Sequence, residues 1–78
     1  MRAAPTIQYI PRRMVTYAIK SMLETAVDSC PCQIFLILDD LHTDNWFIEL
    51  VAFLAHATSI EYDRPVVVHL VQGRVLQF

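Results

Sequence analysis

Between Met14 and Val27 the apolar residues recur at steps of one, three and four, through Val15, Ala18, Ile19, Met22, Leu23 and Ala26. Side chains three and four apart share a helical face, so this spacing predicts an amphipathic helix. Arg13, Thr16, Lys20, Glu24 and Asp28 fall on its other side. Pro11 suits the first turn, where a missing N–H costs nothing, and Pro31 biases the chain away from helix, so the helix should stop near Ser29. Upstream, Thr6 to Ile10 is short, extended in character and flanked by Pro5 and Pro11, which predicts an edge strand.

The pattern changes at Gln33 to Leu38, a continuous β-branched and aromatic run. Such a run predicts a strand covered on both faces, as at the centre of a parallel sheet. Thr43 or Asp44 can then cap a second helix reaching about Ser59. Apolar residues from Trp46 to Ala57 go most of the way round it and leave a narrow polar stripe of Asn45, Glu49 and His56. A helix of that kind is either sandwiched between layers or presents a surface to another chain. Arg64-Pro65 opens a third strand, Val66 to Val71, and Gln72-Gly73 predicts a hairpin turn into a last run, Arg74 to Phe78. The expected fold is a single small α/β domain over residues 1–78, ordered βαβαββ, with a parallel βαβ centre and a C-terminal β-hairpin.

Composition sharpens this. The hydrophobic fraction is 55% and the charged fraction 18%, against roughly 45–50% and ~25% in ordinary soluble chains. A chain this short cannot hide so much apolar area internally, which predicts a homodimer or a protein partner. Glu49 and His56 interrupt the richest apolar segment before it reaches the ~18 residues of a membrane span. Met1 to Tyr9 has no apolar stretch of signal-peptide type, so a cytoplasmic location is the expectation. Cys30 and Cys32 are too close for a disulfide framework and lack the Cys-x-x-Cys spacing of redox motifs.

The net charge of −2 conceals a segregation. Residues 1–20 hold Arg2, Arg12, Arg13 and Lys20 without an acid, whereas 21–63 hold all eight acids without Lys or Arg. This predicts one acidic and one basic face. Direct nucleic-acid binding is disfavoured, because phosphate attraction needs a net basic surface.

Candidate chemistry concentrates in Phe35 to Trp46, "FLILDDLHTDNW". Asp39 and Asp40 follow a buried strand, at the carboxyl edge where α/β sheets place ligands. "IFLILDDLHTDNW", followed by an apolar helix and "RPVVVHLVQGR", resembles the Walker B and sensor region of STAND-type, AAA-like signalling ATPases over roughly residues 34–74. The resemblance implies that Asp39 matches the magnesium-coordinating acid, Asp40 the acid beside the attacking water, and Arg74 the arginine after the sensor strand. The Gly-x-x-x-x-Gly-Lys-Ser/Thr loop that cradles phosphate in that family has no counterpart here, where Gly73 is the one glycine. Asp39, Asp40, His42 and Asp44 match no standard zinc spacing, and neither Cys32 with His69 nor Ser59 with His56 forms a recognisable nucleophile and base pair. No metal, cofactor or catalytic residue is assigned.

The function expected from sequence is non-enzymatic: a protein-binding domain, a small inhibitor or adaptor similar in composition to those of phages and mobile elements. Its contact residues are Asp39, Asp40, Asp44, Trp46, Glu49, Phe53, Glu61 and Asp63, an acidic and aromatic surface suited to a basic target such as the nucleic-acid channel of another protein. The alternative is a degenerate or partial Walker B-like nucleotide-binding module.

Overall fold

The computed structural model describes residues 11–29 and 31–78. The strand expected at Thr6 to Ile10, and Cys30, lie outside them. The described elements run α1 (Arg12–Ser29), β1 (Ile34–Leu38), α2 (Asn45–Tyr62), β2 (Val66–Leu70) and β3 (Val75–Gln77). This is the small α/β domain that the hydrophobic pattern predicts. β2 is central, parallel to β1 and antiparallel to β3.

Local chemistry accounts for the boundaries. α1 starts where the Pro11 carbonyl accepts the Met14 and Val15 N–H groups. α2 starts where the Asp44 carbonyl accepts those of Phe47 and Ile48. It runs to Tyr62, three residues beyond the expected end, since nothing opposes helix until Pro65 disfavours α geometry at Arg64. Asp63 closes it in the left-handed region (φ 53°, ψ 50°), and the Asp63 and Arg64 N–H groups both donate to the Ser59 carbonyl, satisfying an otherwise orphaned acceptor. The hairpin loop holds three residues, Val71 to Gly73, one more than expected. The Gly73 N–H donates to the Leu70 carbonyl at φ 113° and Leu70 pairs with Arg74, a geometry that asks for glycine.

Both helices pack on one side of the sheet. Ile19, Leu23 and Val27 of α1 meet Val51, Leu54 and Ala55 of α2 over Ile34, Val66, Val68 and Leu70. α1 supplies the expected stripe. β1 differs from expectation: among the described residues it pairs with β2 alone, and Phe35 and Ile37 are exposed while Ile34 is buried. The unbroken apolar run therefore has one covered face, and it borders the described part of the sheet. A residue run alone does not reveal which face the second layer leaves open.

Arg64 ties the layers together at the amino end of β1. Its guanidinium donates to the Val27 carbonyl in the last turn of α1 and to the Cys32 carbonyl just before β1, both at 3.2 Å.

Candidate functional site

The carboxyl end of β1 builds the first part of the site. Asp39 turns the chain: its carboxylate accepts the Leu41 N–H (3.0 Å) and pairs with His42 Nδ1 (2.9 Å), while its carbonyl accepts the Thr43 hydroxyl. The His42 bond, opposed by desolvation and reinforced by the Leu41 N–H, holds the Asp39 carboxyl below its ordinary value. Asp40 accepts the Gln72 N–H at 3.0 Å, joining the β1 turn to the hairpin after β2. These two acids, expected from sequence as partner contacts, also do structural work at the carboxyl end of β1.

Asp44 occupies the N-cap position of α2 in extended geometry, yet its side chain makes no capping bond and instead accepts the Trp46 indole N–H at 3.3 Å. Trp46 is half-buried. Its ring packs edge-on against Phe47, and the Arg12 guanidinium carbon lies 4.3 Å from its centroid, a cation–π arrangement. Arg12, Thr16, Trp46, Glu49 and Leu50 line a shallow cleft of about 350 Å³ between the first turns of the two helices.

The eight residues expected from sequence do not form one patch. Asp39, Asp40, Asp44, Trp46 and Glu49 gather at the carboxyl end of the sheet, with Arg12 among them. Phe53 lies exposed further along α2 with Ile60. Glu61 and Asp63 stand at the far end of α2, about 25 Å from Asp44 at 1.5 Å per residue. There they are joined by Glu24 and Asp28 of α1. Partial burial pushes the Tyr62 phenol above its ordinary value, and the charges of Glu61, Glu24 and Asp28 add to it.

The sequence left open whether the helices share one sheet face, and because they do, the outer face of the sheet is uncovered by either helix. The register places Phe35 and Ile37 of β1, Val67 and His69 of β2, and Val75 and Gln77 of β3 on the side away from both helices. Phe35 is 55% exposed, Ile37 70% and Val75 44%, and the edge of the His69 ring meets Phe35 with 6.1 Å between centroids. Asp39 follows Phe35 and Ile37 at the next alternate position and borders this face. Burial alternates along β3, with Val75 and Gln77 exposed and Leu76 partly buried, as in a sheet covered on one side.

Among the described residues, no three His, Cys, Asp or Glu side chains are gathered as a metal ion requires, and no helix is long and apolar enough to cross a membrane. No family model matches the chain, and neither does any curated protein or solved structure.

Proposed function

We propose that this chain is a non-enzymatic protein-binding domain, an inhibitor or adaptor that acts by covering a surface on another protein. One observation carries the reading: Phe35, Ile37 and Val75 lie open on a single sheet face bordered by Asp39. Exposed apolar side chains gathered on one face and rimmed by charge mark contact surfaces. The occupant that fits is a protein with an apolar patch flanked by Lys or Arg, such as one whose basic surface holds nucleic acid. Asp39, Asp40, Asp44 and Glu49 supply the complementary charge and Trp46 stiffens that end.

The test starts from affinity capture with the full chain and then measures binding of the captured protein directly. Val75→Lys should weaken binding at least tenfold without loss of fold. Neutralising the rim with Asp39→Asn and Asp40→Asn, which keep the oxygen acceptors for Leu41 and Gln72, together with Asp44→Lys, should flatten the salt dependence of binding. Binding that ignores both sets refutes this surface. Loss only on reversing Glu61 and Asp63 would move the contact to the far end of α2.

A nucleotide-binding module of Walker B type is the second reading, favoured by the placement of Asp39 and Asp40 at the carboxyl end of the paired parallel strands. It requires the melting temperature to rise on adding magnesium and ATP. Under the binding reading the temperature stays unchanged.

A further inference from the structure

Among the described residues, the edge of β1 away from β2 has no strand beside it, and with the flank of α1 above it forms a separate surface. In a parallel ladder only alternate residues turn their backbone groups toward a given neighbour. The Ile34 N–H donates to the Pro65 carbonyl and the Leu38 carbonyl accepts the Val71 N–H, both at 3.0 Å. Ile34, Leu36 and Leu38 therefore face β2, and Phe35 and Ile37 direct their N–H and C=O groups to the outside, unpaired among the described residues. The strand reads Ile-Phe-Leu-Ile-Leu and has none of the lysines, prolines or bulges that normally protect an edge.

The side of α1 facing α2 is marked by Arg12 and Thr16 at the Trp46 cleft and by Glu24 and Asp28 beside Tyr62. At 3.6 residues per turn, Met14, Ala18 and Met22 align on the opposite flank. All three are exposed, Met14 by 58% and Met22 by 51%. α2 lies against β2 and stacks His56 on Phe78 at the hairpin side, so the free flank of α1 is the one beside the β1 edge.

We propose that a second copy of the chain occupies this surface. Its β1 runs antiparallel to the first around a twofold axis at Leu36, and the two α1 helices pack through Met14, Ala18 and Met22. The axis sets Phe35 opposite Ile37 of the second copy, the two residues with open backbone groups, so every open donor between them meets an open acceptor. It sets Asp39 opposite Gln33, so like charges do not meet along the strands. Ala18 allows close approach of the helices, and the flanking methionines adapt to the gap. A patch that complements itself in this way suits a closed twofold dimer. The outer sheet face stays open and doubles in width, so the dimer and the partner-binding reading fail separately: a monomer that still captures its partner removes only the dimer.

The full chain is examined by size-exclusion chromatography with light scattering over a dilution series, together with hydrogen exchange at the Phe35 and Ile37 amides. A dimer is expected that dissociates on dilution, with protection of both amides following the dimer fraction. Ala18→Glu and Met22→Glu, at exposed helical positions, should each shift the species to monomer with the helical circular dichroism unchanged. A monomer at every concentration overturns the proposal. So does protection of both amides in a monomer, which would mean that the chain covers its own edge. A dimer that survives Ala18→Glu, or one that breaks on Val75→Lys instead, places the interface elsewhere and overturns it as well.

Discussion

Asp39 and Asp40 show how two adjacent carboxylates take different structural tasks from the direction each faces. Asp40 reaches across to the Gln72 N–H, so its removal loosens a contact between the β1 turn and the hairpin. Asp40→Ala should cost about 1 kcal/mol, the usual net value of one such bond, and Asp40→Asn, which keeps an acceptor, should recover most of it in urea unfolding. Asp39 is held below its ordinary value chiefly by His42. A carboxyl depressed in the folded state stabilises the fold above its unfolded pKa, and that contribution disappears as pH falls through the folded one. Stability should therefore drop as pH is lowered beneath about 4, and Asp39→Asn should make that limb shallower. An acid limb identical in the variant would remove Asp39 as its source. The sequence shows that these acids follow a strand. It does not show that Gln72, thirty-two positions away, supplies the N–H that engages one of them.

At the scale of elements, the hydrophobic periodicity was legible because each helix and strand buries a face of its own. α1 appears at its expected span, and β2 with β3 at the hairpin. The layer arrangement was not legible. Whether two helices cover one sheet face or both depends on how the elements pack, and Phe35 and Ile37 look the same in sequence either way. Long-range braces were equally hidden, because Arg64 read only as the residue that opens the third strand with Pro65. Its two bonds to the Val27 and Cys32 carbonyls predict that Arg64→Ala loosens the join between α1 and β1 by roughly 1–3 kcal/mol, the range for hydrogen bonds from a charged donor. Arg64→Lys should recover only part, since a single ammonium lacks the planar fork that spans both acceptors. Asp63 predicts the opposite sign. It holds left-handed backbone at φ 53°, which glycine adopts without strain. Asp63→Gly should raise stability by about 0.5–1 kcal/mol in thermal unfolding, because relief of left-handed strain outweighs the freedom glycine adds to the unfolded chain. Asp63→Asn, which removes charge at the same geometry, separates the effect of charge from that of the backbone.

For the molecule as a whole, charge segregated along the chain does not remain segregated in space. Arg12 sits over Trp46 beside Glu49, which moderates the acidic end nearest the open sheet face. Glu24 and Asp28 of α1 act together with Glu61 of α2 on Tyr62 at the other end. The apolar excess divides by location into residues that hold the fold and residues that do not. Leu23 is completely buried among both helices and the sheet, so Leu23→Ala should cost about 2–5 kcal/mol. A domain of this size has little more than that in total, and the variant should be largely unfolded at ambient temperature by circular dichroism. Val75, apolar but on the open face, should tolerate lysine with a stability change of about 0.5 kcal/mol or less and a gain in solubility. If Val75→Lys instead unfolds the chain as Leu23→Ala does, the outer face belongs to the fold, and the exposed apolar surface loses its meaning as a place of contact.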